Sequence, residues 1–144
     1  MIAAGSDHAG YELKEELIRH LKSRGFEVVD YGTDSTQSCD YPDYARKVAK
    51  AVADGTAQAG LLVCGTGIGM SIAANKVKGI RAAVLSDEFS ARATREHNDA
   101  NILCLGARVV DAPKAIRLLD LFLDTPFSEG ENHIRRISKL EEQI

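Results

Sequence analysis

Cysteine is scarce and poorly placed for metal or disulfide chemistry. Cys39, Cys64 and Cys104 are an odd number at wide spacing, and no Cys-x-x-Cys or His-x-x-x-His pair accompanies them. This pattern excludes the usual structural zinc sites and fits a reducing compartment. No apolar run approaches the roughly 18 residues that a spanning helix requires, and the opening MIAAGSDHAG has no basic start leading into an apolar stretch. A cytoplasmic location without a membrane partner is therefore expected. Charge of one sign is also lacking: 18 basic and 21 acidic residues are interspersed, for a formal net charge of −3. That leaves no electrostatic footprint for a nucleic-acid backbone, so a small molecule or another protein is the expected partner. Low-complexity tracts and internal repeats are absent, and 44% hydrophobic with 27% charged residues is a globular composition. A chain of 144 residues fits one domain, residues 1–144, and a domain of this size buries roughly 70% of its unfolded surface.

What is present is an alternation of short apolar runs with segments of helical period. IAAG is strand-like, and from Tyr11 the residues Leu13, Leu17, Ile18 and Leu21 fall on one helix face that Gly25 ends. EVVDYG, residues 27–32, reads as a second strand. The polar TDSTQSCD then leads to Pro42, near the start of a helix with Ala45, Val48, Ala49 and Val52 inward. GLLVCG is apolar on both faces, which predicts a central parallel strand. AAVL and ILCLG are the fourth and fifth strands, separated by a helix from about Asp87 to Asn98, and a helix over 112–123 follows. Strict alternation predicts an α/β fold: a Rossmann-like or flavodoxin-like three-layer αβα sandwich around a five-stranded parallel sheet. After the break at Pro126 and Gly130, Ile134, Ile137, Leu140 and Ile144 recur at helical spacing. This last helix has no strand to return to and is expected to reach towards a partner subunit.

Ligands of open parallel sheets bind beyond the carboxyl ends of the strands. Those ends carry Ser6, Asp7 and His8 after the first strand, and Cys64 with the loop Gly65-Thr66-Gly67-Ile68-Gly69 after the third. Ser86 and Asp87 follow the fourth strand, and Gly106 and Arg108 the fifth. His97 and Asn98 close the fourth helix, at the opposite end of the sheet, so another subunit would have to receive them. Glycines at alternate positions let consecutive N–H groups turn towards an anion at the start of the next helix. The spacing is Gly-x-Gly-x-Gly, however, not that of a dinucleotide site, and no Lys-Ser or Lys-Thr pair completes a P-loop. Asp87, 22 residues after Gly65, keeps a ribose-binding acid in view.

Each residue also has a plainer reading. A cysteine ending a buried strand is commonly a small inert hydrophobe. Beside a glycine loop and a helix start, though, Cys64 has the surroundings that lower a thiol pKa below about 8.5 and make it a base or nucleophile. Cys104, inside a strand, reads as packing, and Cys39, in a polar loop, has no evident partner. Ser6 or Asp7 can cap a helix while His8 faces water. His97, four and eight residues after Ala93 and Phe89, reads equally as a core-lining ring. His20 and His133 read as solvated.

With these residues assembled, the chain resembles ribose-5-phosphate isomerase type B, a family that also contains the subunits of galactose-6-phosphate isomerase. SDHAGYELK, DYPDYA, CGTGIGMSIAANK, GIRAA, REHNDANILCLGARVV and HIRRISKLEE occur in the family's order and spacing. The resemblance implies an aldose–ketose isomerase of ribose 5-phosphate and ribulose 5-phosphate that needs no cofactor or metal. It implies a homodimer with sites at the interface, and leaves open whether dimers pair into tetramers. Cys64 matches the base that moves a proton between carbons 1 and 2. Thr66 and the N–H groups around Gly65, Gly67 and Gly69 match the cradle of the enediolate oxygens. His97, with Asp7 and Thr66 near the sugar, matches the group that opens the furanose ring. Asn98 and Tyr44 match sugar contacts, and His8, Arg108 and Arg136 match contacts at the phosphate end. The family commonly has GGRH before the last helix, whereas Glu131 and Asn132 stand here in place of Gly-Arg. Losing that cation is expected to weaken phosphate binding or shift the preferred sugar, with Arg135 one candidate to compensate. A six-carbon sugar phosphate, a non-catalytic sugar-phosphate binding module and nucleotide-dependent redox chemistry are the competing readings.

Overall fold

A computed structural model describes residues 1–142; Ile144, counted above on the last helix, lies outside the described residues. The chain runs β1 (Ile2–Ser6), α1 (Tyr11–Ser23), β2 (Val28–Asp30), α2 (Tyr41–Ala53), β3 (Ala59–Cys64) and α3 (Ile68–Ala74). It continues through β4 (Ala82–Val84), α4 (Glu88–Asn98), β5 (Ile102–Gly106), α5 (Ala112–Asp124) and α6 (Glu131–Leu140). The five strands form one parallel sheet in the order β2-β1-β3-β5-β4. The predicted α/β architecture is present, with GLLVCG at its centre.

Period-two alternation sorts the β3 side chains between two cores. Leu61 and Val63 join Leu17, Leu21, Ala91, Leu118 and Phe122 on the face covered by α1, α4 and α5. Leu62 and Cys64 join Val48, Ala49, Met70 and Ala74 on the face covered by α2 and α3. Strand order follows from the same chemistry. β5 is buried throughout and needs a strand on each side, whereas β4 is three residues long with Val84 exposed, which suits an edge.

Two features depart from simple periodicity. The inward face of α1 includes Lys14, which is fully buried; its ammonium donates to the Asp30 carboxylate at 2.7 Å and to the Thr33 carbonyl. This ties the segment after β2 to the helix after β1. No residue of α6 is buried, and Ile134 and Leu140 are 50% and 64% exposed. Among the described residues no helix is long and apolar enough to cross a membrane.

Candidate functional site

Parallel pairing brings the ends of β1, β3 and β5 to one edge. Ser6 lies opposite Val63 and Cys64 opposite Gly106, and the segments beyond them remain joined. The Asp7 N–H donates to the Val63 carbonyl, Ala107 to the Cys64 carbonyl and Arg108 to the Gly65 carbonyl at 3.0 Å. Asp7, His8, Cys64, Gly65, Thr66, Gly67, Gly69 and Arg108 therefore share this edge. Asp7 is buried, and one carboxylate oxygen accepts the Gly10 N–H at 3.1 Å, closing the turn into α1. The Ser6 hydroxyl is buried with no hydrogen-bond partner among the described residues.

The glycine loop divides its labour differently from a bare anion cradle. The Gly67 N–H points at Cys64 and donates to Sγ at 3.1 Å, so this amide serves the thiol. Gly67 adopts φ +80°, and a Cβ there would meet the Leu105 carbonyl carbon at 2.9 Å, so β5 and the backbone turn both require glycine. A Cβ at Gly69 would strike the Tyr41 ring at 2.8 Å. Tyr41, which sequence reasoning did not single out, thus walls the loop, and the only sign of it was its place in DYPDYA. The Thr66 hydroxyl accepts the Ile68 N–H at 3.2 Å, leaving its own proton to donate outward. A Cβ at Gly65 would lie 3.4 Å from the Arg108 guanidinium, which has no carboxylate partner among the described residues.

Cys39 gains a partner that its polar surroundings did not announce. Its N–H donates to His8 Nδ1 at 3.2 Å, and its sulfur lies 3.9 Å from the same nitrogen. Accepting at Nδ1 places the proton of the neutral His8 ring on Nε2, as a donor. Tyr44 packs its ring on Gly32, whose carbonyl accepts the Ser6 N–H, so it stands beside this edge and not within the loop. Cys104 is fully buried, and that burial, followed by the nearby Cys64, pushes its thiol pKa far up; it is inert packing.

The remaining candidates lie at the other end of the sheet. An 11-residue α4 spans about 16 Å, and it carries His97 and Asn98 back to the amino ends of the strands. There the Asn98 carbonyl accepts from Arg81, the residue before β4. The His97 ring stacks on His133 of α6, with centroids 4.5 Å apart. Asn132 and Arg136 share that helix and are exposed. A cavity of about 600 Å³ lies between Asn75, Arg81, Asn98 and Glu141, and of these candidates it is lined by Asn98 and not by His97, Asn132 or Arg136. It contains none of the residues around Cys64. Within one chain the candidate site is therefore split between two poles. Asp87 joins neither: its carboxylate accepts the Ser90 N–H at 2.8 Å and caps α4, which removes the ribose-acid argument for a dinucleotide. His20, expected to be solvated, is bonded to Asp120 at 2.8 Å.

A doubly covered parallel sheet with a cysteine, a glycine loop and an arginine at its carboxyl edge defines an α/β protein whose candidate site lies at the carboxyl ends of its strands. Comparison with known proteins narrows this class. Residues 2–140 match the family described as Ribose/Galactose Isomerase. Ribose-5-phosphate isomerase B of Escherichia coli is 49% identical over 96% of this chain and 93% of its own. A solved ribose-5-phosphate isomerase B of Clostridium thermocellum superposes with a TM-score of 0.96 at 52% identity, covering 97% of this chain and 94% of that one. The Thermotoga maritima enzyme gives 0.96 at 51% identity, covering 99% and 97%. The chain belongs to the ribose/galactose isomerase family and is an isomerase.

Proposed function

We propose that the protein interconverts ribose 5-phosphate and ribulose 5-phosphate in the cytoplasm, with Cys64 as the base and a second copy of the chain completing each site. The observation that carries this reading is Cys64 Sγ at the strand end, held by the Gly67 N–H, with Asp7, Thr66 and Arg108 on the same edge. From the aldose, the Cys64 thiolate takes the proton on carbon 2. The electron pair of that C–H bond forms the C1–C2 double bond, and charge collects on the former carbonyl oxygen. Donors aimed at this oxygen, the Thr66 hydroxyl among them, stabilise it more in the transition state than in the ground state. Return of the proton to carbon 1, with the hydroxyl proton of carbon 2 passing to the carbon 1 oxygen, yields the ketose.

His8, donating from Nε2, and Arg108 face the phosphate end, where a forked guanidinium suits paired oxygens. Gly65, Gly67 and Gly69 let the loop beneath the sugar lie close against Arg108, Leu105 and Tyr41, and Tyr44 flanks the sugar. The second copy supplies His97 to open the furanose ring, Asn98 to hold it, and Arg136 with Asn132 towards the phosphate. This assignment answers the split between the two poles and gives the uncovered α6 a surface to lie on. No cofactor enters the chemistry. The six-carbon reading rests on Asn132 and Glu131 standing where the family's Gly-Arg would be.

The test is turnover of ribose 5-phosphate by purified protein without additions, followed by appearance of ribulose 5-phosphate. Cys64→Ala is expected to lower kcat by about 10²- to 10⁴-fold, the range of a lost general base, with an unchanged circular dichroism spectrum. Near-normal turnover in that variant removes Cys64 from the base role. A preference for allose or galactose 6-phosphate over ribose 5-phosphate would favour the six-carbon reading.

A further inference from the structure

We propose that His133 is a positioning residue for His97: its ring, stacked on the His97 imidazole, fixes the plane from which His97 reaches the sugar ring oxygen. The inference rests on the ring-opening role given to His97 above. The two rings lie 4.5 Å apart at an interplanar angle of 14°, a stacked arrangement within the favourable range for aromatic pairs. They come from different helices, His97 from the last turn of α4 and His133 from the first turn of α6.

The register between them is set locally. Ser128 donates both its N–H and its hydroxyl to the carbonyl of Glu96, at 3.3 and 2.7 Å, one residue before His97. The same hydroxyl accepts the Gly130 N–H at 3.4 Å, where α6 begins. Gly130 bounds the His133 ring on another side, since a Cβ there would meet its Cδ2 at 3.2 Å. A helix that buries none of its own residues is thus held against α4 with one imidazole laid on another. Partial desolvation, then the charges of His97 on α4 and Arg136 on α6, push the His133 pKa below its ordinary value. The neutral form of the His133 ring is thereby favoured as the platform. A neutral stacking partner restricts His97 to rotation in its own plane, which matters because misplacing a catalytic group by about 1 Å costs up to about 100-fold.

The experiment separates ring opening from proton transfer. Ribulose 5-phosphate is acyclic, because its carbon 5 oxygen is esterified, so solvent deuterium enters its carbon 1 through Cys64 without any ring step. His133→Ala is expected to lower kcat for ribose 5-phosphate by about 10- to 100-fold. Exchange at carbon 1 of ribulose 5-phosphate is expected to stay within about threefold of wild type, the same split as in His97→Ala. His133→Phe, which keeps a flat ring, is expected to restore most of the lost turnover. Unchanged turnover in His133→Ala, a parallel fall of turnover and exchange, or no rescue by phenylalanine overturns the inference. If His97→Ala itself leaves turnover intact, the ring-opening reading falls first and takes the positioning role with it, whereas a normal split in His97→Ala with a silent His133→Ala sinks the positioning role alone.

Discussion

Cys64 and Cys104 sit on adjacent strands two register positions apart, opposite Gly106 and Leu62 respectively. Two positions inward, burial makes a thiol inert; at the strand end the same side chain meets a backbone donor. That distinction was legible in the sequence, because strand-end position follows from where the apolar run stops. The purpose of the glycines was only half legible. Alternate spacing signals a loop near an anion, but the Tyr41 ring and the β5 backbone that require Gly69 and Gly67 come from distant parts of the chain. Gly67→Ala is expected to cost about 1–3 kcal/mol, because φ +80° is strained for any side chain and the new methyl would meet Leu105 and Val84. A lowered melting temperature together with loss of turnover would show it; an unchanged melt would mean that the loop relaxes without cost.

At the scale of elements, the sequence placed α4 and α5 to within a residue and found the inward faces of α1 and α2, because the apolar faces of α1, α2 and α5 are regular, whereas the short α3 received no bounds. The insertion of β5 between β3 and β4 was harder to read, since it depends on which strand can tolerate an edge. Lys14 was invisible: a charged residue on a buried face is justified only by Asp30 and Thr33, far along the chain. Asp87 looked like a ligand and is a cap. The backbone hydrogen bond from Ser90, then that residue's hydroxyl, hold its carboxyl pKa below the ordinary value. A depressed folded-state pKa means that its contribution to stability is present above the unfolded value and is lost as pH falls through the folded one. Asp87→Asn keeps an acceptor at every pH, so its melting temperature is expected to fall less than that of wild type on acidification below about pH 4. Parallel acid profiles would contradict the cap.

For the whole molecule, the separation of Cys64 from His97 and Arg136 dominates. The alternation of elements alone placed Cys64 and His97 at opposite ends of the sheet, whereas Arg136 had no such address, and a partner's surface has no signature within one chain. If two copies share each site, an equal mixture of Cys64→Ala and His97→Ala chains, unfolded and refolded together, contains hybrids with one intact site. Such a mixture is expected to recover about a quarter of wild-type activity, from the statistics of twofold assembly. A mixture as inactive as its components would mean that each chain works alone. The uncovered helix α6 also has two fasteners of different character. At its start stand the Ser128 hydrogen bonds and the stack of two rings; beyond its end, Glu141 is held by Arg81 at 2.7 Å across a partly exposed ion pair. Ionic strength separates the two, since at 1 M salt the Debye length falls to about 3 Å. Concentrated salt therefore loosens the carboxyl end of the helix from Arg81 and leaves its first turn, with the imidazole that aims His97, in place.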